Sequence, residues 1–128
     1  MNEILKQGDK TVKNWKNYRP FHEKSLYLPE SCVEDAIYTA KAISKGLSDK
    51  FKAEKVVLFG SLAKNRITKN SDIDIAVWNI PNDLFYKAAA FATGYSNKWN
   101  VDLVDFNDCK DSLKKAILTE GIILSGNE

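Results

Sequence analysis

The sequence predicts an α/β (α+β) domain, a small mixed sheet with helices packed mainly on one face. Three observations carry this. "KVVLFG", residues 55–60, is apolar on both faces and ends at a glycine, the pattern of a strand covered on two sides. "DIDIAVW" (72–78) and "NVDLVDF" (100–106) alternate with a period of two, the pattern of strands with one face different from the other. Between and around these runs the apolar residues recur at helical intervals, so strands and helices take turns along the chain.

Each element has its own signal. Residues 1–30 show no sustained period and hold Gly8, Pro20 and Pro29, which predicts an irregular arm; a single folded domain is expected over 31–128. Ser31 and Glu34 have capping-box spacing, and Val33, Ile37, Ala40, Leu47 and Phe51 recur at helical spacing, which predicts a helix over about 32–51. Gly60 ends the first strand, and Ser61 to Lys64 starts a short helix. In the second strand Ile73, Ile75 and Val77 share one face, with Asp72, Asp74 and Ala76 on the other. Leu84, Ala88, Phe91 and Tyr95 form the stripe of a helix stopping near Gly94. The third strand sets Asp102 and Val104 opposite Leu103 and Asp105. "DSLKKAILTEG" is a closing helix ended at Gly121, followed by a short apolar "IIL".

Composition excludes several classes. In 128 residues, 19 basic side chains face 17 acidic ones, a formal charge of +2, too balanced for a general polyanion binder. The excess lies in residues 1–30, with six Lys or Arg against four acids; the rest has thirteen of each. Cys32 and Cys109 are too few for a disulfide framework and lack metal-ligand spacing, so free thiols in a reducing, cytoplasmic setting are expected. No apolar run reaches the roughly 18 residues of a membrane span.

The chemistry is concentrated in "VLFGSLAKNRITKNSDIDIAVW", Val57 to Trp78. Two residues apart on a strand, Asp72 and Asp74 point to the same side, and like charges held together cost stability unless a cation sits between them or one carboxyl stays protonated. Mg²⁺, a hard ion that prefers carboxylate and phosphate oxygens, suits them. Zinc does not, because the single histidine, His22, lies in the arm and neither cysteine is close in sequence to the aspartates. Two ions in a phosphoryl-transfer site call for a third carboxylate, and Asp102 on the next strand is the candidate. Asp105 competes, but alternation turns it to the other face. The Gly60-Ser61 turn, opening a short helix, offers backbone N–H groups to the phosphates of a nucleoside triphosphate, with Lys64 one turn along. The ordinary alternative for each taken alone is a half-solvated strand aspartate, a serine-capped turn and a surface lysine.

Taken together, "GS", ten residues, "DID" in a strand and an isolated Asp in a later strand resemble the DNA polymerase beta-like nucleotidyltransferase superfamily, specifically its minimal nucleotidyltransferase (MNT) members. The closing "LKKAILTEGIIL" is similar to the end of that domain, and the resemblance covers about residues 33–125. It implies a transfer of a nucleoside monophosphate, AMP from ATP, to an acceptor hydroxyl. Asp72, Asp74 and Asp102 would be catalytic and hold two Mg²⁺, while Gly60 and Ser61 would bind the nucleotide. It also implies a HEPN-domain partner in a toxin–antitoxin pair, and so an alternative function, an antitoxin module that masks its partner with a vestigial metal site. Two positions depart from the pattern: Leu62 stands where many members carry Arg, and Asn65 where Gly is usual, so the phosphate clamp would be rebuilt on Lys64 and Arg66.

The arm segment "NWKNYRPFHEK" interleaves aromatics with cations. Covering an apolar surface is the favoured reading and binding single-stranded nucleic acid the lesser one. Trp78 and Trp99, flanking the site strands, are expected to pack rather than line a base pocket. A homodimer is left open.

Overall fold

The computed structural model describes residues 27–126. The expected arm, with Trp15, Tyr18 and Phe21, falls on residues 1–26, outside the described residues. Four strands form one mixed sheet with four α-helices around it. In chain order these are α1 (Glu30–Phe51), β1 (Lys55–Phe59), α2 (Gly60–Ala63), β2 (Ile73–Trp78), α3 (Asn82–Thr93), β3 (Val101–Asp105), α4 (Asp111–Glu120) and β4 (Ile122–Ser125). A single 3₁₀ turn, Phe106–Asp108, joins β3 to α4. The sheet order is β3-β2-β1-β4; β1 is antiparallel to both neighbours, and β2 and β3 run parallel across the α3 crossover.

α1 begins at Glu30, and the expected Ser31–Glu34 capping box does not form. Pro29 is the N-cap, with an extended ψ of 164°, and its carbonyl accepts from the amides of Cys32 and Val33 at 2.9 and 3.2 Å. Proline's fixed φ sets the entry angle two residues earlier than a cap at Ser31 would, and Ser31 falls inside the first turn. Just before it, the amide of Leu28 donates to the carbonyl of Ile67 at 2.8 Å and Leu28 packs on the core, tying this segment to the β1–β2 connection.

The alternation of β2 divides the molecule as its sequence requires. On one face Val56, Leu58, Ile73, Ile75, Val77 and Val101 pack with Val33, Ala36, Ala40, Ile43 and Leu47 of α1 and with Ala88 and Ala92 of α3. On the other face Val57, Phe59 and Ala76 pack under Ile117 of α4. Two long helices therefore cover one face. The single helix on the second face reaches Val57 and Phe59 but leaves Asp102 exposed and Asp74 half-buried on that same face. The apolar "IIL" is the start of an edge strand, β4, whose register on β1 shifts between Val56 and Val57.

Both tryptophans among the described residues pack. Trp99 is 7% exposed and its Nε1 donates to Asp35 Oδ2 at 2.9 Å. Trp78 stacks on Phe106 with centroids 4.3 Å apart. No described helix is long and apolar enough to cross a membrane.

Candidate active site

The site is built on one row of the sheet. Phe59 of β1, Asp74 of β2 and Asp102 of β3 are register partners, so Asp74 and Asp102 lie side by side on adjacent strands about 4.8 Å apart and project to the same face. Asp72 lies two residues before Asp74, immediately ahead of β2, and is exposed. Asp74 is the recessed member. Its carboxyl is pushed up from 3.8 to about 6, first by burial and then by the charges of Asp102 and Asp72. Asp105, by contrast, is aligned with Val77, and its Oδ1 accepts the amide of Asn107 at 3.1 Å to open the 3₁₀ turn.

β1 ends at Phe59, next to Asp74, and the following residue turns back over that carboxyl. Gly60 has φ +77°, a left-handed conformation that side chains disfavour. A Cβ there would run into Asp74 Oδ2 and lie 3.1 Å from Asp74 Cγ. The backbone can approach the carboxylate closely only because position 60 has no side chain. One turn of helix, α2, follows, anchored by Leu62, which is 1% exposed. Ser61 is exposed, and its carbonyl accepts the amides of Lys64 and Arg66 at 3.1 and 2.9 Å, folding the segment back on itself. Asn65 has φ +62°, a conformation that asparagine tolerates better than most residues.

Lys64 leaves this turn toward α4, and its Nζ lies 3.2 Å from Glu120 Oε1. Glu120 could not be found from sequence pattern, because a partner so far along the chain has no local spacing to betray it.

The donors are three carboxylates, one recessed and raised by burial and then by the charges of the other two, with no neutralising ion pair to Asp74 among the described residues. That chemistry fits a hard divalent cation. Among the described residues no three His, Cys, Asp or Glu side chains already converge as a ready-made ion cage.

A polymerase beta nucleotidyltransferase profile ("Polymerase beta, Nucleotidyltransferase") matches residues 41–128, a span holding the Gly60 turn and all three aspartates. The chain belongs to this nucleotidyltransferase family. Solved structures agree. A toxin–antitoxin complex with AMP-PNP contains a chain 29% identical, with TM-score 0.57, the match covering 70% of this chain and 74% of that one. In the complex of a tri-AMPylated Shewanella oneidensis HEPN toxin with MNT antitoxin, a chain is 28% identical, with TM-score 0.55 and coverage of 72% of this chain and 73% of that one. A MntA–HepT toxin–antitoxin structure is 30% identical, with TM-score 0.53 and coverage of 70% and 72%. Among curated proteins no relative matches the chain. The structural neighbours of this nucleotidyltransferase domain are thus MNT antitoxins of HEPN toxin–antitoxin pairs.

Proposed function

We propose that this protein is a Mg²⁺-dependent nucleotidyltransferase that moves AMP from ATP to an acceptor hydroxyl on a HEPN-domain partner. The observation that carries the reading is the recessed Asp74 carboxyl, raised first by burial and then by the charges of Asp102 and Asp72, and lying directly under the backbone of Gly60. A fold gains nothing in stability from a recessed carboxyl set under a left-handed glycine and raised further by two neighbouring aspartates, so the arrangement answers to a ligand. A nucleotide analogue in one similar complex and AMPylation of the toxin in another support the choice of substrate and partner.

Each side chain then has a task. Asp72, Asp74 and Asp102 would hold the cations. Mg²⁺, when bound, supplies positive charge to the transferring phosphoryl group and the leaving pyrophosphate. Asp102, exposed at the edge strand, is placed to orient the acceptor hydroxyl and take its proton. The Gly60-Ser61 turn admits the triphosphate close to the backbone, and Lys64 and Arg66 supply cations beside it.

The test is incubation with α-labelled ATP and Mg²⁺, with and without the HEPN-domain partner. The expected result is label on the partner, lost in the Asp74→Asn variant. A partner that is silenced without becoming labelled would instead establish the masking antitoxin.

A further inference from the structure

We infer that Glu120, the last residue of α4, is a positioning residue that withholds Lys64 from the bound polyphosphate and so sets nucleotide affinity. This rests on the proposed phosphate role of the Gly60-Ser61 turn. The ion pair between Lys64 Nζ and Glu120 Oε1, at 3.2 Å, is the observation behind it.

Both ends of the pair are fixed at the backbone. The amide of Lys64 donates to the carbonyls of Gly60 and Ser61 at 3.3 and 3.1 Å, and α2 is pinned to the core by Leu62. Glu120 precedes Gly121, whose amide donates to the carbonyl of Ile117 at 3.0 Å and whose α-carbon abuts the Ile117 carbonyl and Val57 so closely that a Cβ would collide with both. Ile117 is itself 2% exposed. The two backbones cannot drift, so the only freedom left is in the side chains. Each of those is 46% exposed, so the pair is solvated and weak.

A weak pair between fixed backbones is one that a stronger anion can break. A triphosphate arriving at the Gly60-Ser61 turn meets a lysine already neutralised by a carboxylate and meets that carboxylate's negative charge as well. Because position 62 is a buried leucine, Lys64 and Arg66 are the cations that follow the turn most closely in the chain, and Glu120 offsets half of that charge. Glu120→Gln keeps the size and the hydrogen-bond acceptor while removing the charge, which leaves Lys64 available to the ligand.

The experiment measures the Kd of Mg²⁺–AMP-PNP, and of tripolyphosphate alone, for the full-length wild type, Glu120→Gln, Lys64→Met, the double variant and Asp111→Asn, a charge control at the other end of α4. Glu120→Gln should tighten both ligands roughly two- to five-fold, in line with a solvated pair, with the gap closing in higher salt. Lys64→Met should weaken both, and Glu120→Gln should have no effect in the Lys64→Met background. Asp111→Asn should match the wild type. Equal affinities for wild type and Glu120→Gln, or an effect that survives in Lys64→Met, would overturn the inference while leaving the nucleotide site intact. Absence of binding to every variant at millimolar ligand would overturn the nucleotidyltransferase reading and this inference together.

Discussion

Replacing Asp74 with Asn tests whether the site is a stored electrostatic cost. The folded protein holds this carboxyl at about 6 against an ordinary 3.8, because burial and the charges of Asp102 and Asp72 disfavour the ionised form. Below pH 3.8 the group is protonated in both folded and unfolded chains. Its contribution to stability is then complete, and it is lost as pH rises through about 6, where the folded state must ionise it. Converted in full at about 1.4 kcal/mol per tenfold change, the shift would be worth roughly 3 kcal/mol. The carboxyl is only half-buried, and screening by solvent reduces this to about 1 to 1.5 kcal/mol. For a domain of this size that is roughly 3 to 8 °C in melting temperature.

The assay is a pH series of thermal melts in EDTA. Wild type and Asp74→Asn should melt together near pH 4, separate between pH 4 and 7, and differ by a constant amount above that, the variant being the more stable. Among the described residues no hydrogen bond to the Asp74 side chain would be lost. Adding Mg²⁺ should raise the wild type and leave the variant nearly unmoved, closing the gap by mass action on the folded state. A variant less stable than wild type at pH 8, or a difference that does not change with pH, would refute the reasoning and mark Asp74 as a structural hydrogen-bonding group.

Gly60→Ala combines a φ of +77° with a Cβ driven onto the Asp74 carboxyl; a loss of about 2 kcal/mol or more in chemical denaturation, with loss of AMP-PNP binding, is expected. Asp102→Ala should lower turnover by roughly a hundredfold or more with a small change in nucleotide affinity, whereas Asp105→Ala should do little to either; steady-state kinetics in the opposite order would reverse the assignment. Asp102→Ala should also bring the Asp74 titration, followed by NMR, downward from about 6, since one of its two charged neighbours is gone. Leu62→Arg, which restores the family's residue, places a charge at a position 1% exposed and should cost about 3 kcal/mol or more in thermal or chemical unfolding.

What could be read from the sequence, and what could not, follows the range of the interactions. Period two in "DIDIAVW" is a local property, and it put Ile73, Ile75 and Val77 in the core and Asp74 on the opposite face before any partner strand was known. The same rule turned Asp105 away from Asp102. Helix α1 was legible in its apolar stripe, but its start was not, because Pro29 competes with Ser31 for the cap and the outcome depends on the entry angle of the chain. β4 was left as a bare apolar run, since four residues carry too little pattern to separate a strand from a loop. Pairings across the fold gave no signal at all. The register that aligns Asp74 with Asp102, the bond from Trp99 to Asp35, and the reach of Lys64 to Glu120 depend on how distant segments meet.

The two departures from the family pattern separate once their surroundings are known. Asn65 replaces a usual glycine at a left-handed position, φ +62°, and asparagine is the side chain that bears such a φ at least cost, so the turn keeps its path. Leu62 replaces a usual arginine and is buried at 1% exposure, so a cationic group is lost from the turn and an apolar anchor gained. The turn therefore keeps a left-handed residue at position 65, while position 62 supplies an apolar anchor in place of a charge. The sequence "LAKNR" compensates with Lys64 and Arg66, but the structure ties the first of these to Glu120. A nucleotide bound here would have to contend with the Glu120 carboxylate. On the inference drawn above, nucleotide affinity would answer to Glu120, at the end of α4, as well as to the Gly-Ser turn.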